Sequence, residues 1–276
     1  MKIAFIIVVY NKQLEFSETI NSLLRLGKEK KFSCCIVNNG PCKIDFLDDG
    51  LYPNVLFDFN EYMGNLPLSY LYNGFLKKYQ GYDRLVILDD DSILTESFID
   101  RVFTEDSYDI ELPKIYNKDG KLFYPLKKWS VIESSEDNFE IKDVVFSIGS
   151  GLVIGESVIK TFNSKGMSIF NESFAFYGVD FSFFWELQRI GCNFNITSKS
   201  SIIHDMSLHG IISDFKLQEL YVNFVLQFRY YPSVVNFKNF VYSFLNSIRN
   251  RKFDIIKEMM KALITGKHKR CRGRIE

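Results

Sequence analysis

Three consecutive aspartates, Asp89, Asp90 and Asp91, follow an apolar run at residues 84–88. Adjacent carboxylates repel one another unless cations or hydrogen-bond donors compensate them. Alternate residues at the end of an extended strand point the same way, so Asp89 and Asp91 can share a ligand while Asp90 points elsewhere. Their hard oxygens suit Mg2+ or Mn2+ bridged to substrate phosphates. Helix capping is the alternative, with Asp91 or Thr95 as the cap of the helix that follows. An acidic cluster is costly to assemble for capping alone, which favours the metal. His204, beside Asp205, ends a second predicted strand and offers an imidazole, a good Mn2+ ligand delivered from far away in sequence. A lone histidine is otherwise an ordinary core or surface residue, and His209 and His268 have weaker claims. Asp180 opens an amphipathic segment, 180–190, after the aromatic stretch 174–179. Apolar surroundings raise a carboxyl pKa, as a general base working near neutrality requires, although a cap role is equally open to it.

The elements that must position these groups alternate along the first hundred residues. Ile3–Val9 is a β-branched run of the kind buried on both faces of a parallel sheet, and residues 14–26 carry apolar spacing at helical period. Residues 32–37 read as a strand closed by the Asn38, Asn39, Gly40, Pro41 turn, 55–59 as a third, 66–79 as a helix and 84–88 as a fourth strand. That order implies an open, mostly parallel sheet in an α/β protein. Ligands bind beyond the carboxyl ends of such strands, so Tyr10 and Asn11, Asn38 and Asn39, and the three aspartates should meet on one rim.

The middle is less regular. Residues 108–124, with Pro113 and an Asp119-Gly120 turn, read as a hairpin, and 133–142 as a charged loop. The apolar run 144–154 is interrupted by Gly149, Ser150 and Gly151, which marks a bulge or a close backbone approach. Short helices at 157–162 and 180–190 and a strand at 194–203 follow. From Ser213 the pattern is helical, divided at Pro232. The simplest organisation is a catalytic domain over 1–210, split into a nucleotide-binding half 1–92 and an acceptor-binding half 93–210, with a helical extension over 211–276.

Composition sets the outer limits. The chain has 276 residues, 46% of them hydrophobic, so folding buries roughly 75% of the unfolded chain's surface without staples. The 34 basic residues balance the 34 acidic ones, which argues against a nucleic-acid coat. Five cysteines without zinc-like spacing fit reduced thiols in the cytoplasm. The first apolar run is too short and lacks the cleavage site of a signal peptide, and no stretch reaches the roughly 18 apolar residues of a membrane span.

Together the motifs resemble the family 2 glycosyltransferases of the GT-A fold, in particular bacterial enzymes of the rhamnosyltransferase-like and O-antigen or capsule-building type. The resemblance rests on residues 8–11, 36–40, 65–74, 88–91, 149–151, 177–180, Gly191 and 203–205, in that order. It implies a Rossmann-like central sheet flanked by helices. It further implies that Tyr10, Asn11 and Asn38 line the nucleotide-base pocket, with Asn73 on the ribose or diphosphate side. Asp89, Asp90 and Asp91 match the acidic motif, Asp91 and His204 with Asp89 holding a divalent ion. Asp180 matches the catalytic base, and Gly151 lies on the strand passing the donor sugar. Where the family usually has Asp, this chain has Asn38, so an amide replaces a carboxylate at the base, which leans the donor toward UDP or dTDP.

The implied reaction is a single displacement with inversion onto a glycan or lipid-linked hydroxyl. A nucleotidyltransferase would add a glycine-rich phosphate loop after the first strand, which residues 10–14 lack. A non-catalytic sugar-nucleotide binder on the same scaffold would not need Asp180. The amphipathic, basic C-terminal segment, ending in residues 267–274, suits either peripheral contact with the inner face of the cytoplasmic membrane or packing on the catalytic domain with a solvated tail.

Overall fold

The computed structural model describes residues 1–46, 50–204 and 213–273; Asp205, His209 and Arg274 lie outside them. Strands β1 (Ile3–Val9), β2 (Phe32–Asn38), β3 (Val55–Glu61) and β4 (Arg84–Asp89) pair in parallel in the order β4-β1-β2-β3. Every residue of β1 and β2 is buried, as two-sided burial of their β-branched and aromatic side chains demands. Beyond Asp89 the strands are short: β5 (Ser92–Leu94), β6 (Ile110–Glu111), β7 (Lys114–Tyr116), β8 (Leu122–Tyr124), β9 (Leu126–Lys127), β10 (Ser130–Val131), β11 (Asn138–Phe139), β12 (Val145–Phe146), β13 (Leu152–Gly155), β14 (Ile196–Thr197) and β15 (Ser201–His204).

The main sheet runs β11-β14-β6-β13-β4-β1-β2-β3. It is parallel over its first half and mixed beyond β4, because β13 starts at the rim, with Leu152 opposite Ile87, and descends antiparallel to β4. The apolar run 144–154 is therefore two strands in two sheets, β12 joining β9 and β10. Between them Gly151 turns at φ +84°, where a Cβ would lie 2.5 Å from the Pro113 ring. The 108–124 hairpin is present as β7 and β8, with Gly120 in its turn. The four-stranded sheet β5-β15-β7-β8 pairs His204 with Ser92, which brings the late histidine beside the aspartates.

Helices α1 (Glu18–Leu26), α2 (Leu68–Lys78), α3 (Glu96–Phe103), α4 (Glu156–Ser164) and α5 (Val179–Ile190) cover the sheets, followed by α6 (Asp214–Tyr230), α7 (Val234–Arg249) and α8 (Phe253–Thr265). The span 14–26 is not one helix: Ser17 Oγ accepts the Ile20 N–H at 3.2 Å and starts α1 afresh after a single 3-10 turn. Thr95, not Asp91, caps α3, its hydroxyl accepting the Phe98 N–H at 3.2 Å. Gly178, not Asp180, is the N-cap residue of α5. Both aspartates are thereby free of the capping alternative.

Two apolar clusters fill the molecule, one on each face of the sheet. Ile3, Phe5, Ile7 and Val9 face α1 and α3, while Ala4, Ile6 and Val8 face α2 and α5. The second cluster continues without a break into Tyr221, Val222, Val225 and Leu226 of α6 and Ile255, Met259 and Ala262 of α8. At roughly 1.5–3 kcal/mol for each large apolar side chain buried, these contacts hold α6 and α8 on the catalytic core. Part of the basic tail is folded in, while Lys267 stays exposed. His268 and Cys271 are buried, and Glu219 of α6 takes His268 Nε2 at 3.1 Å and Arg270 at 2.8 Å.

Candidate active site

The N-terminus of α1 braces the acidic turn. Ser17 Oγ donates to the Asp90 carbonyl at 2.8 Å, and Thr19 Oγ1 donates to the Asp89 carbonyl at 2.6 Å while accepting the Ser92 N–H at 2.8 Å. Asp90 then turns away from its neighbours. It pairs with Lys12 at 2.9 Å and accepts the Tyr10 N–H at 3.3 Å, so one of the three charges is compensated locally.

Asp89, Asp91 and His204 offer ligand atoms that all lie within 4.8 Å of one another. Asp91 Oδ1 is buried and accepts no hydrogen bond among the described residues, although His204 Nδ1 lies 3.3 Å away. Ser92 Oγ, itself 2.6 Å from Ser150 Oγ, sits 2.9 Å from His204 Nδ1 and orients the ring. An orphaned carboxylate oxygen, a second acid and an imidazole fit a hard or borderline divalent cation such as Mg2+ or Mn2+.

Burial pushes the Asp89 carboxyl up to about 6, with Asp91 and Asp90 adding repulsion and His204 opposing it. Asp180 lines the same cavity, and burial, then the charge of Asp89, raise it to about 7. The Gly149 backbone hydrogen-bonds the Asp180 carboxylate, and a Cβ on Gly149 would come within 2.9 Å of Asp180 Oδ1. The close backbone approach signalled by the glycines therefore belongs to Gly149 at the site, while Gly151 serves packing against Pro113 and Ile202.

These groups line a cavity of about 630 Å3 that also receives Tyr10, Asn39, Tyr72 and Arg270. Asn38 does not reach it. Its amide is spent inside the fold on the Cys42 carbonyl at 2.7 Å, Glu61 at 2.9 Å and the Gly40 N–H at 3.0 Å. Asn39 points the other way into the cavity wall, donating to the Leu66 carbonyl and accepting the Leu66 N–H. Asn73 is likewise a brace, holding the backbone of Phe170 through both ends of its amide. Asn11 adopts φ 52° and binds the Gly40 carbonyl behind Tyr10, at the rim but not among the cavity-lining residues.

Several lining residues were not singled out in the sequence, Tyr72 among them although it lies within the 65–74 motif. Tyr72 is fully buried, hydrogen-bonded to Asp89 and pushed well above its ordinary pKa by burial, so it is a donor to that carboxylate. From the C-terminal helices come Asn223, Gln227, Asn236 and Asn239, and beyond them Arg270. The Arg270 guanidinium reaches Asn65 Oδ1 at 2.9 Å, and its Nε is buried with no partner among the described residues. Gly178 at φ +81° lets α6 approach, since a Cβ there would overlap Asn223.

The fold is α/β, a large central sheet flanked by helices, as the order of the motifs led one to expect. Among solved structures it is shared with TarS of S. aureus: residues 1–349 of that protein align over 98% of this chain and 93% of that one, with a TM-score of 0.51 and 14% identity. The same TarS fragment in complex with UDP-GlcNAc aligns over 98% and 93% with a TM-score of 0.48 and 13% identity. Its UDP complex aligns over 100% and 94%, with a TM-score of 0.48 and 14% identity. No family model matches the sequence, and no curated protein matches it.

Proposed function

We propose that the protein is an inverting, metal-dependent hexosyltransferase, transferring a sugar from a nucleotide-diphosphate sugar to a hydroxyl of a glycan or lipid-linked acceptor in bacterial surface polysaccharide synthesis; with Asn38 turned away from the cavity, the lean toward UDP or dTDP loses its ground. The observation that carries this reading is one cavity holding both an undercompensated Asp89, Asp91 and His204 cluster and a separate carboxylate, Asp180, raised to about 7. The fold shared with TarS is consistent with it. Binding alone requires no second acid of that basicity.

Tyr10 is the rim residue available to a nucleotide, with Asn11 behind it, while the amide of Asn39 is held by Leu66 in the cavity wall. A divalent cation bound by Asp91, His204 and Asp89 would supply charge neutralisation for the departing diphosphate. Arg270 adds a permanent positive charge to the same cavity. Asp180 takes the proton of the acceptor hydroxyl as its oxygen attacks the anomeric carbon and the nucleoside diphosphate leaves from the opposite face. A carboxylate with a pKa near the working pH combines a useful deprotonated fraction with useful basicity. The single displacement inverts the anomeric centre, in contrast to the paired carboxylates of glycoside hydrolysis. The cytoplasm is the proposed compartment, and the segment 211–276 is proposed to belong to the acceptor side, since its residues close the cavity.

Calorimetric titration with UDP, dTDP, GDP and CDP, each with Mn2+ and with EDTA, tests the proposal. Binding of one of these nucleotides that disappears with EDTA is the expected result. No binding of any nucleotide in either condition would remove the transferase reading and leave the fold alone.

A further inference from the structure

The helix α7 packs Phe240 and Phe244 against the core and carries a second set of large apolar side chains outward. Its fully buried residues are Asn236, Ser243 and Ser247, while Val234, Val235, Phe237, Tyr242, Leu245 and Ile248 are exposed. At 100° per residue, Val234, Phe237, Leu245 and Ile248 fall on one stripe centred opposite the buried polar residues. The outer face of α8 repeats the pattern, with Phe253 and Ile264 more than two-thirds exposed and Met260 between them. A helix in water places such side chains inward; two neighbouring helices that both place them outward present a surface made for an apolar neighbour.

The charge around the stripe identifies that neighbour. Between residues 234 and 273 the chain carries ten Lys and Arg against two acids, a net of +8, in a sequence whose charges otherwise cancel the excess. Lys238, Arg249, Arg251 and Lys257 stand exposed among the apolar residues. Two copies packed through this face would bring like charges together, whereas an anionic bilayer satisfies both components at once. No helix among the described residues is long and apolar enough to cross a membrane.

We propose that the outer faces of α7 and α8 form a docking surface for an anionic lipid bilayer, with Phe237, Leu245, Ile248 and Phe253 entering the interfacial region. The terminal run 267–272 is not the anchor, because His268 and Arg270 are committed to Glu219. The inner side of α7 lends Asn236 and Asn239 to the cavity, so the bilayer lies about one helix diameter, ~10 Å, from it. A surface so placed presents membrane-borne acceptors to the site. Docking itself does not depend on the chemistry assigned to the cavity, and a failed nucleotide titration leaves it standing.

The test is sedimentation of the full chain with phosphatidylcholine vesicles containing or lacking phosphatidylglycerol, and sedimentation velocity without lipid. Expected are binding only to the anionic vesicles, weakening with salt, and a monomer in their absence. Joint replacement Phe237→Ser and Leu245→Ser, and separately Arg249→Glu with Lys257→Glu, should each lower partitioning at least about tenfold. Arg249 and Lys257 are exposed, so that pair should leave the thermal melt unchanged, whereas Phe237 also meets the Phe228 ring, centroids 5.6 Å apart, and its pair should lower the melt slightly; the salt series on the unaltered chain stands without any variant. Absence of binding, binding indifferent to both pairs, or equal binding to neutral vesicles would overturn the proposal. A dimer dissociated by the Phe237 and Leu245 pair would assign the face to a second copy instead.

Discussion

Glu111 and Asp180 are carboxylates embedded in the same domain and are treated in opposite ways. Glu111 is wholly inaccessible, and its oxygens take the Lys199 N–H at 2.7 Å, the Ser200 N–H at 2.9 Å, the Ser200 hydroxyl at 2.8 Å, Arg101 Nε at 3.2 Å and the Thr197 hydroxyl. Every lone pair is used, and the segment it clamps leads directly into β15 and His204. Asp180 has the Gly149 backbone and little else, with the charge of Asp89 against it. A carboxylate built to hold the fold is surrounded by donors, whereas one left short of them retains oxygens free to meet a proton or a ligand.

The sharpest way to break this contrast is Asp180→Asn. Turnover should fall by about 10^2–10^4-fold, as expected for loss of a general base, while nucleotide binding by calorimetry persists. The same substitution should raise thermal stability by about 1 kcal/mol, since it removes a buried charge repelled by Asp89. A loss of stability instead would place Asp180 in the same category as Glu111.

Glu111→Ala should do the reverse, costing about 3–5 kcal/mol in urea unfolding because it strands the buried Arg101 and the 197–200 backbone. A cost under about 1 kcal/mol would show that the clamp is dispensable and would erase the contrast.

Glu219 tests a third arrangement, a carboxylate satisfied by its own tail. Burial alone would raise it, but the hydrogen bond and charge of His268 and the guanidinium of Arg270 prevail and hold it down to about 2. A depressed pKa contributes stability that is complete above the ordinary glutamate range and is lost as pH falls through it toward 2. The contribution is up to about 3 kcal/mol. The stability advantage over Glu219→Gln should therefore be flat from pH 7 to about 5 and shrink steadily below. An advantage unchanged at pH 3 would disconnect the tail from α6.

The legible part of the site lies where one strand ends. Asp89 and Asp91 meet beside His204 and Asp90 goes to Lys12, the alternation the sequence led one to expect, although it is the turn between β4 and β5 and not an extended strand that carries Asp90 and Asp91. The same alternation separates Asn38 from Asn39: one faces Glu61 of β3 and the other the cavity, and nothing in the pair of identical residues says which. Gly149 and Gly151 pose the same problem. Only the packing of Asp180 on one and Pro113 on the other distinguishes them. The parallel half of the sheet follows from continuous apolar runs, whereas the mixed half is made of two- to four-residue strands, too short for periodicity to speak.

The amino-acid sequence by itself determined the parallel strands, the rim at their carboxyl ends and the acidic turn on it, because these depend on local patterns of burial and backbone preference. Tertiary structure alone decided that Ser92 pairs with His204, that Tyr72 donates to Asp89, and that Arg270 returns from the end of the chain to the cavity. Those contacts join residues up to 205 positions apart, as Arg270 and Asn65 do, and no local propensity encodes a meeting that only the packing of α6 and α8 on a shared core brings about.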